Sequence, residues 1–148
     1  MTQPTVKVKR LHPSAQLPAY ETSGAAGADI RACLHGEQSL VIAPKSRKLI
    51  KTGLAMDIPS GYEIQVRPRS GLALKHGITV LNSPGTIDND YKQELGVILV
   101  NQGDEPFTVQ NGDRIAQIVI AACVQMLVEE AFEIESNGRG GFGSTGLK

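Results

Sequence analysis

Residues 107–123 read FTVQNGDRIAQIVIAAC, and two apolar segments within them flank the pair Asn111-Gly112. Both residues of that pair tolerate positive φ, so the sequence predicts a tight hairpin between strands at 107–109 and 114–120. The second segment is long enough to be mistaken for a helix, but its many isoleucine and valine residues favour a strand. This part of the chain therefore predicts antiparallel β structure.

Short segments of the same kind recur along the rest of the chain. Residues 6–9 alternate between apolar and polar, as a half-buried strand does. Turn residues (Pro, Gly, Asn and Asp) separate the segments, and only residues 70–76 are predicted to be helical. Many short strands with frequent turns predict an all-β fold, an antiparallel jelly-roll barrel or sandwich with one short helix. The further predicted strands are 39–43, 48–56, 62–66, 95–101, 106–109 and 114–123.

The length of 148 residues suits one domain with its own core. We predict that this domain covers residues 1–136 and that residues 137–148 form a flexible, glycine-rich tail. The two cysteines, Cys33 and Cys123, lie in apolar segments, so both are predicted to be buried and reduced. Because neither has a nearby histidine, they do not predict a metal site.

Composition and charge exclude several classes of partner. Fifteen basic and fifteen acidic side chains give a formal net charge of zero, so no overall field draws the protein to nucleic acid or to an anionic membrane. No apolar segment approaches the roughly 20 residues that span a bilayer, and the first residues lack the pattern of a signal peptide. We therefore expect a cytoplasmic protein that binds no nucleic acid directly and no membrane.

Residues 68–73, PRSGLA, place an arginine and a serine between a predicted strand and the short helix. Ser70 stands where an N-cap belongs, and the free N–H groups at the start of a helix attract phosphate. Arg69 adds a planar set of donors that suits phosphate oxygens, and Gly71 allows a ligand to approach the backbone closely. The alternative is an ordinary capped helix beside an exposed arginine.

Residues 82–91, NSPGTIDNDY, combine a turn with carboxylates and an aromatic ring. Asp88, if held near a water, would act as general base for attack on phosphorus. Asn82 offers a donor and an acceptor, as the edge of a pyrimidine requires, and Tyr91 would pack on a sugar ring. The alternative is a turn rich in Asn and Asp with no further role.

Arg114 and Gln117, in the segment GDRIAQ at 112–117, interrupt an otherwise apolar strand. Both therefore need polar partners. The alternation of side chains along a strand predicts that they lie on opposite faces. One would then bind a ligand while the other joins a structural network.

Residues 138–146, GRGGFGSTG, contain the pattern G-x-G-x-x-G twice. Neither copy follows a clear strand or precedes a helix, which excludes a dinucleotide-binding loop, and no lysine precedes the serine as a Walker A loop requires. The segment instead predicts a strap that becomes ordered over a ligand, with Phe142 stacking on a flat base.

Five segments, in the order in which they occur, resemble the five motifs of the homotrimeric dUTPase family. The resemblance covers nearly the whole chain, and although each motif alone is modest evidence, all five in order are specific. The segments are AGADI at 26–30, PRSGLA at 68–73, GTIDNDY at 85–91, GDRIAQ at 112–117 and GGFGSTG at 140–146.

This resemblance implies a jelly-roll subunit, a homotrimer with three active sites, and Mg²⁺ bound through the triphosphate of the substrate. The implied reaction is the hydrolysis of dUTP to dUMP and pyrophosphate by attack of water on the α-phosphorus. Such an activity limits the incorporation of uracil into DNA and supplies dUMP for thymidylate synthesis.

The resemblance also implies roles for individual residues. Asp88 matches the base that activates the water, and Asn82 with the backbone of 86–88 matches the hairpin that reads uracil. Tyr91 matches the ring under the deoxyribose, where a 2′-hydroxyl would clash, and Phe142 matches the ring that stacks on uracil from another subunit's tail. The full set of implied substrate contacts is Arg69, Ser70, Gly71, Asn82, Thr86, Ile87, Asp88, Tyr91, Gly96, Gln117, Arg139, Phe142, Ser144 and Thr145.

Three positions need separate mention. The resemblance implies no direct protein ligand for Mg²⁺, and Asp29 is a candidate either to contact the ion through water or to have a structural role. Gln93 stands where the family usually has glycine, which alters a local turn. Asn137 stands where the fifth motif usually begins with arginine, and Arg139, two residues later, is the candidate substitute for the γ-phosphate contact.

Two other functions remain as alternatives. A dCTP deaminase shares the fold and the trimeric state, but it needs an acid/base carboxylate beside the pyrimidine amino group and carries a different serine-arginine signature in its second motif. A non-catalytic jelly-roll module for binding or assembly would have no need of Asp88, Tyr91 and Phe142 together.

Overall fold

The computed structural model describes residues 2–148, and these contain eleven strands and one short helix. The strands are mostly four to six residues long, and the longest has nine. In chain order the elements are β1 Lys7–Arg10, β2 Ala28–Arg31, β3 Ser39–Ile42, β4 Arg47–Lys51, β5 Leu54–Asp57, β6 Tyr62–Arg67, α1 Ser70–His76, β7 Ile78–Val80, β8 Gly85–Ile87, β9 Gly96–Asn101, β10 Phe107–Gln110 and β11 Arg114–Ala122.

All strand pairs among the described residues are antiparallel, which confirms the predicted all-β class. The largest sheet has the order β2-β11-β6-β8, and a second sheet has the order β4-β9-β7. Two further pairs, β1-β5 and β3-β10, complete the architecture. Strand β11 is central because it pairs with β2 along its first half and with β6 along its second half.

The predicted hairpin at Asn111-Gly112 is wrong, although the turn itself is present. Asp113 donates its N–H to the carbonyl of Gln110 at 3.1 Å, and Gly112 has a φ of 90°. However, β10 pairs with β3, and β11 pairs with β2 and β6. The turn carries the chain from one sheet to another, because Asn111 donates to the carbonyl of Gln38 and Gly112 to that of Ala32.

The remaining strand predictions are largely confirmed. One predicted strand is in fact two strands, and three observed strands were not predicted. The single strand predicted at 48–56 is two strands, β4 and β5, because the chain turns at Gly53, whose φ is 67°. Thr52, just before the turn, is fully buried and donates its hydroxyl to the carbonyl of Leu95 at 2.6 Å. Strands β2, β7 and β8 have only three or four residues, too few for a clear alternation in sequence.

The core lies between the sheets and consists mainly of aliphatic side chains. One face of each main strand supplies it, as the alternating burial of β2 and β6 illustrates. Complete burial of such a side chain contributes roughly 1.5–3 kcal/mol relative to exposure. The largest fully buried side chains are Ile30, Ile42, Ile50, Leu54, Ile78, Leu95, Leu99 and Ile115.

The two cysteines differ in their surroundings. Cys33 is buried as predicted, and its Sγ lies 3.4 Å from the hydroxyl of Ser14. The prediction for Cys123 is wrong, because this residue is exposed. Strand β11 ends at Ala122, so Cys123 lies where the chain leaves the sheet.

The part of the chain after β11 contains neither helix nor strand through Lys148. Its apolar side chains lie in solvent: the side chains of Val124, Leu127, Phe132 and Ile134 are all at least 89% exposed. The predicted boundary at residue 136 stays a prediction, since the strands end well before it. Within residues 2–148 no helix has the length and apolar character that crossing a membrane requires.

Asn101 is the fully buried polar side chain at the end of β9. Its Nδ2 donates to the carbonyls of Ile42 at 2.9 Å and Glu105 at 2.8 Å, and its Oδ1 accepts from the N–H of Gly103 at 2.9 Å. These bonds join β3 to the loop between β9 and β10. One amide group thus makes three of the hydrogen bonds that hold this loop.

The substitution Asn101→Asp tests these hydrogen bonds, because a carboxylate cannot donate to the two carbonyls. We expect the free energy of unfolding, measured by urea denaturation, to fall by about 3 kcal/mol or more, since buried groups lose their partners. Asn137→Asp, the same change at an exposed position, serves as the control and should have an effect of no more than about 0.5 kcal/mol. Equal stability of the two variants would contradict this account of Asn101.

Candidate active site

The segment between β6 and α1 presents the start of a helix without a side-chain cap. The predicted N-cap role of Ser70 is wrong: Arg69 occupies that position in an extended conformation (φ −96°, ψ 129°), and Ser70 is the first helical residue. No side chain caps the first turn, and the first N–H groups of a helix have no partner within it. These donors and the Ser70 hydroxyl are therefore available to an anion.

Asp29 in β2 lies at the centre of a cluster of ion pairs. Its Oδ1 is 3.4 Å from Arg69 Nε, and its Oδ2 accepts a hydrogen bond from the Arg114 guanidinium at 3.1 Å. Arg69 also donates to the backbone carbonyl of Arg114 at 3.3 Å. Only 14% of the Asp29 side chain is exposed. One carboxylate thus orients two arginines, and Glu21 Oε1, 3.8 Å from the Arg114 guanidinium, is a second acid in the cluster.

The prediction that Arg114 and Gln117 lie on opposite faces of β11 is wrong. The register between β2 and β11 shifts between Arg114 and Ala116, so Arg114 faces Arg31 while Gln117 faces Asp29. Arg31 and Asp29 are two residues apart in one strand and therefore lie on the same face. An irregularity of this kind inserts one residue and reverses the alternation that follows it.

Gln117 is held tightly beside the arginine cluster. Its Nε2 donates to the carbonyl of Pro68 at 2.9 Å, directly before the start of the helix. A Cβ atom at Gly27 would lie only 2.4 Å from Gln117 Oε1, so this close approach requires glycine. The first, second and fourth motif-like segments thus meet at one place.

A pocket of about 310 Å³ lies between β8 and the sheet that contains β4 and β9. We call it the β8 pocket. Strand β8 pairs with β6, with Thr86 opposite Gln65, and Gly96 at the start of β9 is opposite Lys51. The structure therefore brings together six residues that the sequence singled out: Asn82, Thr86, Ile87, Asp88, Tyr91 and Gly96.

Hydrogen bonds hold the segment that follows β8. Tyr91 donates its hydroxyl to the backbone carbonyl of Glu94 at 2.8 Å, and its N–H to the carbonyl of Asp88 at 3.2 Å. Lys92 donates to the carbonyl of Asn89 and to Asp57 Oδ1, both at 2.6 Å. The carboxylate of Asp88 is exposed and has no hydrogen bond or ion pair within residues 2–148. It is thus free to accept a proton from a water in the pocket.

Four lining residues of the β8 pocket were not predicted from sequence: Leu49, Lys51, Glu94 and Ile98. Leu49 and Lys51 lie opposite Ile98 and Gly96 across the pair of β4 and β9. Only the register of that pair places them at the pocket. No local signal in the sequence identifies them.

A second pocket, of about 370 Å³, lies on the other side of the arginine cluster. We call it the arginine pocket. Arg31, Arg69 and Arg114 line it together with His76 and Asp113, and it shares no lining residue with the β8 pocket. The two halves of the predicted site are therefore separate in one subunit. Ser70, Gly71 and Gln117 line neither of these pockets.

The predicted tail residues also lie apart from both pockets. Phe142 is fully exposed, and Arg139, Ser144 and Thr145 are exposed as well. The hydrogen bonds in this segment are local, such as that from the N–H of Arg139 to Asn137 Oδ1 at 2.9 Å. The structure of one chain does not bring the tail to the site.

Carboxylate, imidazole and thiolate groups do not converge on a metal position in the described part of the chain. Within residues 2–148 no group of three or more His, Cys, Asp and Glu side chains could hold an ion. Asp29 is engaged by two arginines, whereas Asp88 has no such partner.

The model of the family described as dUTPase matches residues 13–146. The chain belongs to the dUTPase family. It is 56% identical to a deoxyuridine 5'-triphosphate nucleotidohydrolase of Beijerinckia indica over 97% of this chain and 92% of that protein. A protein of the same name from Syntrophotalea carbinolica is also 56% identical, over 97% of both chains.

Solved dUTPase structures resemble the whole fold. The dUTPase of Staphylococcus bacteriophage 80alpha, solved with dUpNHpp, superposes with a TM-score of 0.85 at 28% identity and covers 97% of this chain and 99% of that one. A mutant dUTPase from phage phi11 of S. aureus has a TM-score of 0.78 at 25% identity, over 89% of this chain and 99% of that one. These likenesses confirm the jelly-roll class predicted for this dUTPase.

The ion pair between Lys92 and Asp57 predicts how the stability of the fold depends on pH. The hydrogen bond from Lys92 and the charge of its ammonium group hold the pKa of the Asp57 carboxyl below its ordinary value of 3.8, and Lys7 acts in the same direction. A lowered pKa in the folded state stabilises the fold above the ordinary value, and this contribution is lost as pH falls through the folded value. The segment after Tyr91 therefore loses an anchor in acid.

We expect wild type to be more stable than Asp57→Asn by a constant amount between about pH 7 and pH 5. This difference should shrink below pH 3.8 as Asp57 becomes protonated. Urea denaturation across that range measures it. Asp104→Asn, at an exposed carboxylate, is the control, and a difference for Asp57→Asn that persists unchanged below pH 3 would contradict the assignment.

Proposed function

We propose that this chain hydrolyses dUTP to dUMP and pyrophosphate. The observation that carries the proposal is the β8 pocket, which places the free carboxylate of Asp88 beside Asn82, Thr86 and Tyr91. Relatives that share more than half of its residues are named deoxyuridine 5'-triphosphate nucleotidohydrolases. Through this reaction the protein limits the incorporation of uracil into DNA and supplies dUMP for thymidylate synthesis.

The nucleoside binds in the β8 pocket. Asn82 and the backbone of β8 offer donors and acceptors to the edge of uracil, and a hydrogen-bonding pocket of this kind separates bases by roughly 10⁴–10⁵. The extra methyl of thymine is rejected because β8 approaches the base closely. The ring of Tyr91, 41% exposed at the mouth of the pocket, packs under the deoxyribose and excludes a 2′-hydroxyl.

The triphosphate binds at the start of α1. The uncapped N–H groups of the first turn, the hydroxyl of Ser70 and the amide of Gln117 donate to phosphate oxygens. Arg69 adds its guanidinium, which Asp29 orients. The guanidinium of Arg69 and the free N–H groups at the start of α1 offset the crowding of negative charge on the triphosphate.

Asp88 acts as general base. It accepts a proton from a water, the water oxygen forms a bond to the α-phosphorus, and the bond from that phosphorus to the bridging oxygen of pyrophosphate breaks. A carboxylate without a competing partner suits this role. The products are dUMP and pyrophosphate.

The substrate triphosphate and water would hold Mg²⁺, which would supply neutralisation of charge and polarisation of the phosphoryl groups. The donor set of the protein fits such indirect binding, because Asp29 is already paired with two arginines. This carboxylate would contact the ion through water. The phage phi11 dUTPase is described with a structural Mg(II) ion.

The active form is a homotrimer with three active sites. Two observations support it. The β8 pocket and the arginine pocket share no lining residue in one chain, and the apolar arm after β11, residues 123–134, lies in solvent. An interface between subunits would cover that arm and bring the two halves together. The tail of a further subunit would place Phe142 on uracil and Arg139 with Ser144 and Thr145 near the phosphates.

We also propose that the protein is cytoplasmic and binds no nucleic acid directly.

Asp88→Asn tests the proposed base. We expect the fold and nucleotide binding to be retained while the kcat for pyrophosphate release from dUTP falls by about 10²–10⁴-fold, because an amide cannot accept the proton. Asp104→Asn, at an exposed carboxylate outside both pockets, is the matched control. Near-normal turnover of Asp88→Asn would reject Asp88 as the base.

The same assay should include dCTP, dTTP and UTP. Selective hydrolysis of dUTP is the expected result, whereas release of ammonia from dCTP would indicate a deaminase of the same fold. The absence of hydrolysis for every nucleotide would favour a non-catalytic module.

Truncation tests the tail. A chain that ends at Asn137 should lose activity on dUTP by about 10²-fold or more, because closure of the site positions the substrate. A chain that ends at Gly146 keeps all of the fifth motif and should retain full activity. Undiminished activity of the shorter chain would leave the enzyme assignment intact and reject the role of the tail.

A further inference from the structure

A cluster of polar side chains lies directly behind Tyr91, and the mechanism above does not use it. Glu94 accepts the hydroxyl of Tyr91 with its backbone carbonyl at 2.8 Å. Its side chain Oε1 lies 2.6 Å from His35 Nε2. Only 21% of the Glu94 side chain and 34% of that of His35 are exposed. Glu94 therefore joins the Tyr91 segment to the loop after β2.

Contacts of the next residue with the core also hold the backbone of Glu94 in place. The next residue, Leu95, is fully buried and donates its N–H to the carbonyl of Leu54 at 2.8 Å. Its carbonyl accepts the hydroxyl of the buried Thr52 at 2.6 Å. The carbonyl that receives the Tyr91 hydroxyl is thus held between a buried anchor and the contact with His35.

The loop that carries His35 is itself ordered by contacts. His35 has a φ of 53°, in the left-handed region that histidine enters more readily than most residues. Its ring lies 5.1 Å from that of His12, whose Nδ1 is 2.8 Å from the Ser14 hydroxyl. The N–H of the preceding residue, Leu34, donates to Asn111 Oδ1 at 2.9 Å. These contacts fix the position of His35, although its side chain is partly exposed.

We infer that His35 and Glu94 are positioning residues that set the discrimination between deoxyribonucleotides and ribonucleotides. The inference rests on the proposed function, in which the Tyr91 ring excludes a 2′-hydroxyl. Steric exclusion depends on the position of the ring, and a misplacement of about 1 Å in a site can change rates by roughly 10²-fold. The contact between His35 and Glu94 fixes the acceptor of the Tyr91 hydroxyl and so limits movement of the ring.

Loss of the contact between His35 and Glu94 should affect the hydrolysis of UTP more than that of dUTP. His35→Asn removes the contact and leaves every lining residue of the β8 pocket in place, so kcat on dUTP should change little in this variant. Glu94 itself lines that pocket, so Glu94→Ala is compared only by the ratio of the two substrates. The ring gains freedom to move away from a 2′-hydroxyl, so UTP should become a better substrate through a lower KM. The ratio of kcat/KM for dUTP to that for UTP is therefore the quantity to measure.

Four variants test the inference: Glu94→Ala, His35→Asn, Glu94→Gln and Glu37→Gln. Asparagine at 35 tolerates the left-handed backbone but is too short to reach Glu94. Glutamine at 94 keeps a hydrogen bond to the imidazole and is the conservative rescue. Glu37 lies in the same loop, and its side chain has no hydrogen bond or ion pair within residues 2–148, so Glu37→Gln is the matched control.

We expect the dUTP-to-UTP ratio of kcat/KM to fall by about two- to fivefold in Glu94→Ala and in His35→Asn, the lower part of the range for one hydrogen bond. The ratio for Glu94→Gln should lie near that of wild type, and the ratio for Glu37→Gln should equal it. The double variant with His35→Asn and Glu94→Ala should show the same ratio as either single variant. Wild-type hydrolysis of dUTP in the same assay separates this test from that of the proposed function. Ratios equal to wild type in both Glu94→Ala and His35→Asn would overturn the inference. If Glu94→Ala fails to fold, His35→Asn decides the matter by the same ratio.

Discussion

Strand β11 imposes the constraint on which the site depends, because it must bury one face in the core and still present polar side chains at its start. It pairs with β2 and then with β6, and Ile115, Ala116 and Ile118 are buried along it. The shift in register after Arg114 resolves the conflict. An inserted residue reverses the alternation, and Arg114 and Gln117 come to the same face.

Asp29 makes this arrangement stable. A partly buried guanidinium without a partner is costly, and two such groups that approach the same carboxylate would otherwise repel each other. The carboxylate of Asp29 pairs with Arg69 and Arg114 together, so three of the motif-like segments are joined by one acid. A chain of zero net charge thus places two guanidinium groups beside the start of α1.

The division of the site between two surfaces of one chain has a physical origin. The β8 pocket requires β8 to pair with β6 and β4 to pair with β9, whereas the start of α1 lies near β11 and β2, where Gln117 reaches Pro68. The β8 pocket and the arginine pocket therefore share no lining residue in one chain.

The sequence by itself determined the all-β class and the helix at 70–76, because these follow from local periodicity and turn residues. Its resemblance to the dUTPase family also named six of the residues that gather in the β8 pocket. The sequence did not determine which strands pair. The Asn111-Gly112 turn has the local chemistry of a hairpin, yet β10 and β11 find partners elsewhere, since pairing is decided by the burial of distant side chains. For the same reason, only the tertiary structure settled three features, since each depends on the register between strands far apart in the chain. They are the common face of Arg114 and Gln117, the pairing of Asp29 with two arginines, and the positions of Lys51 and Glu94.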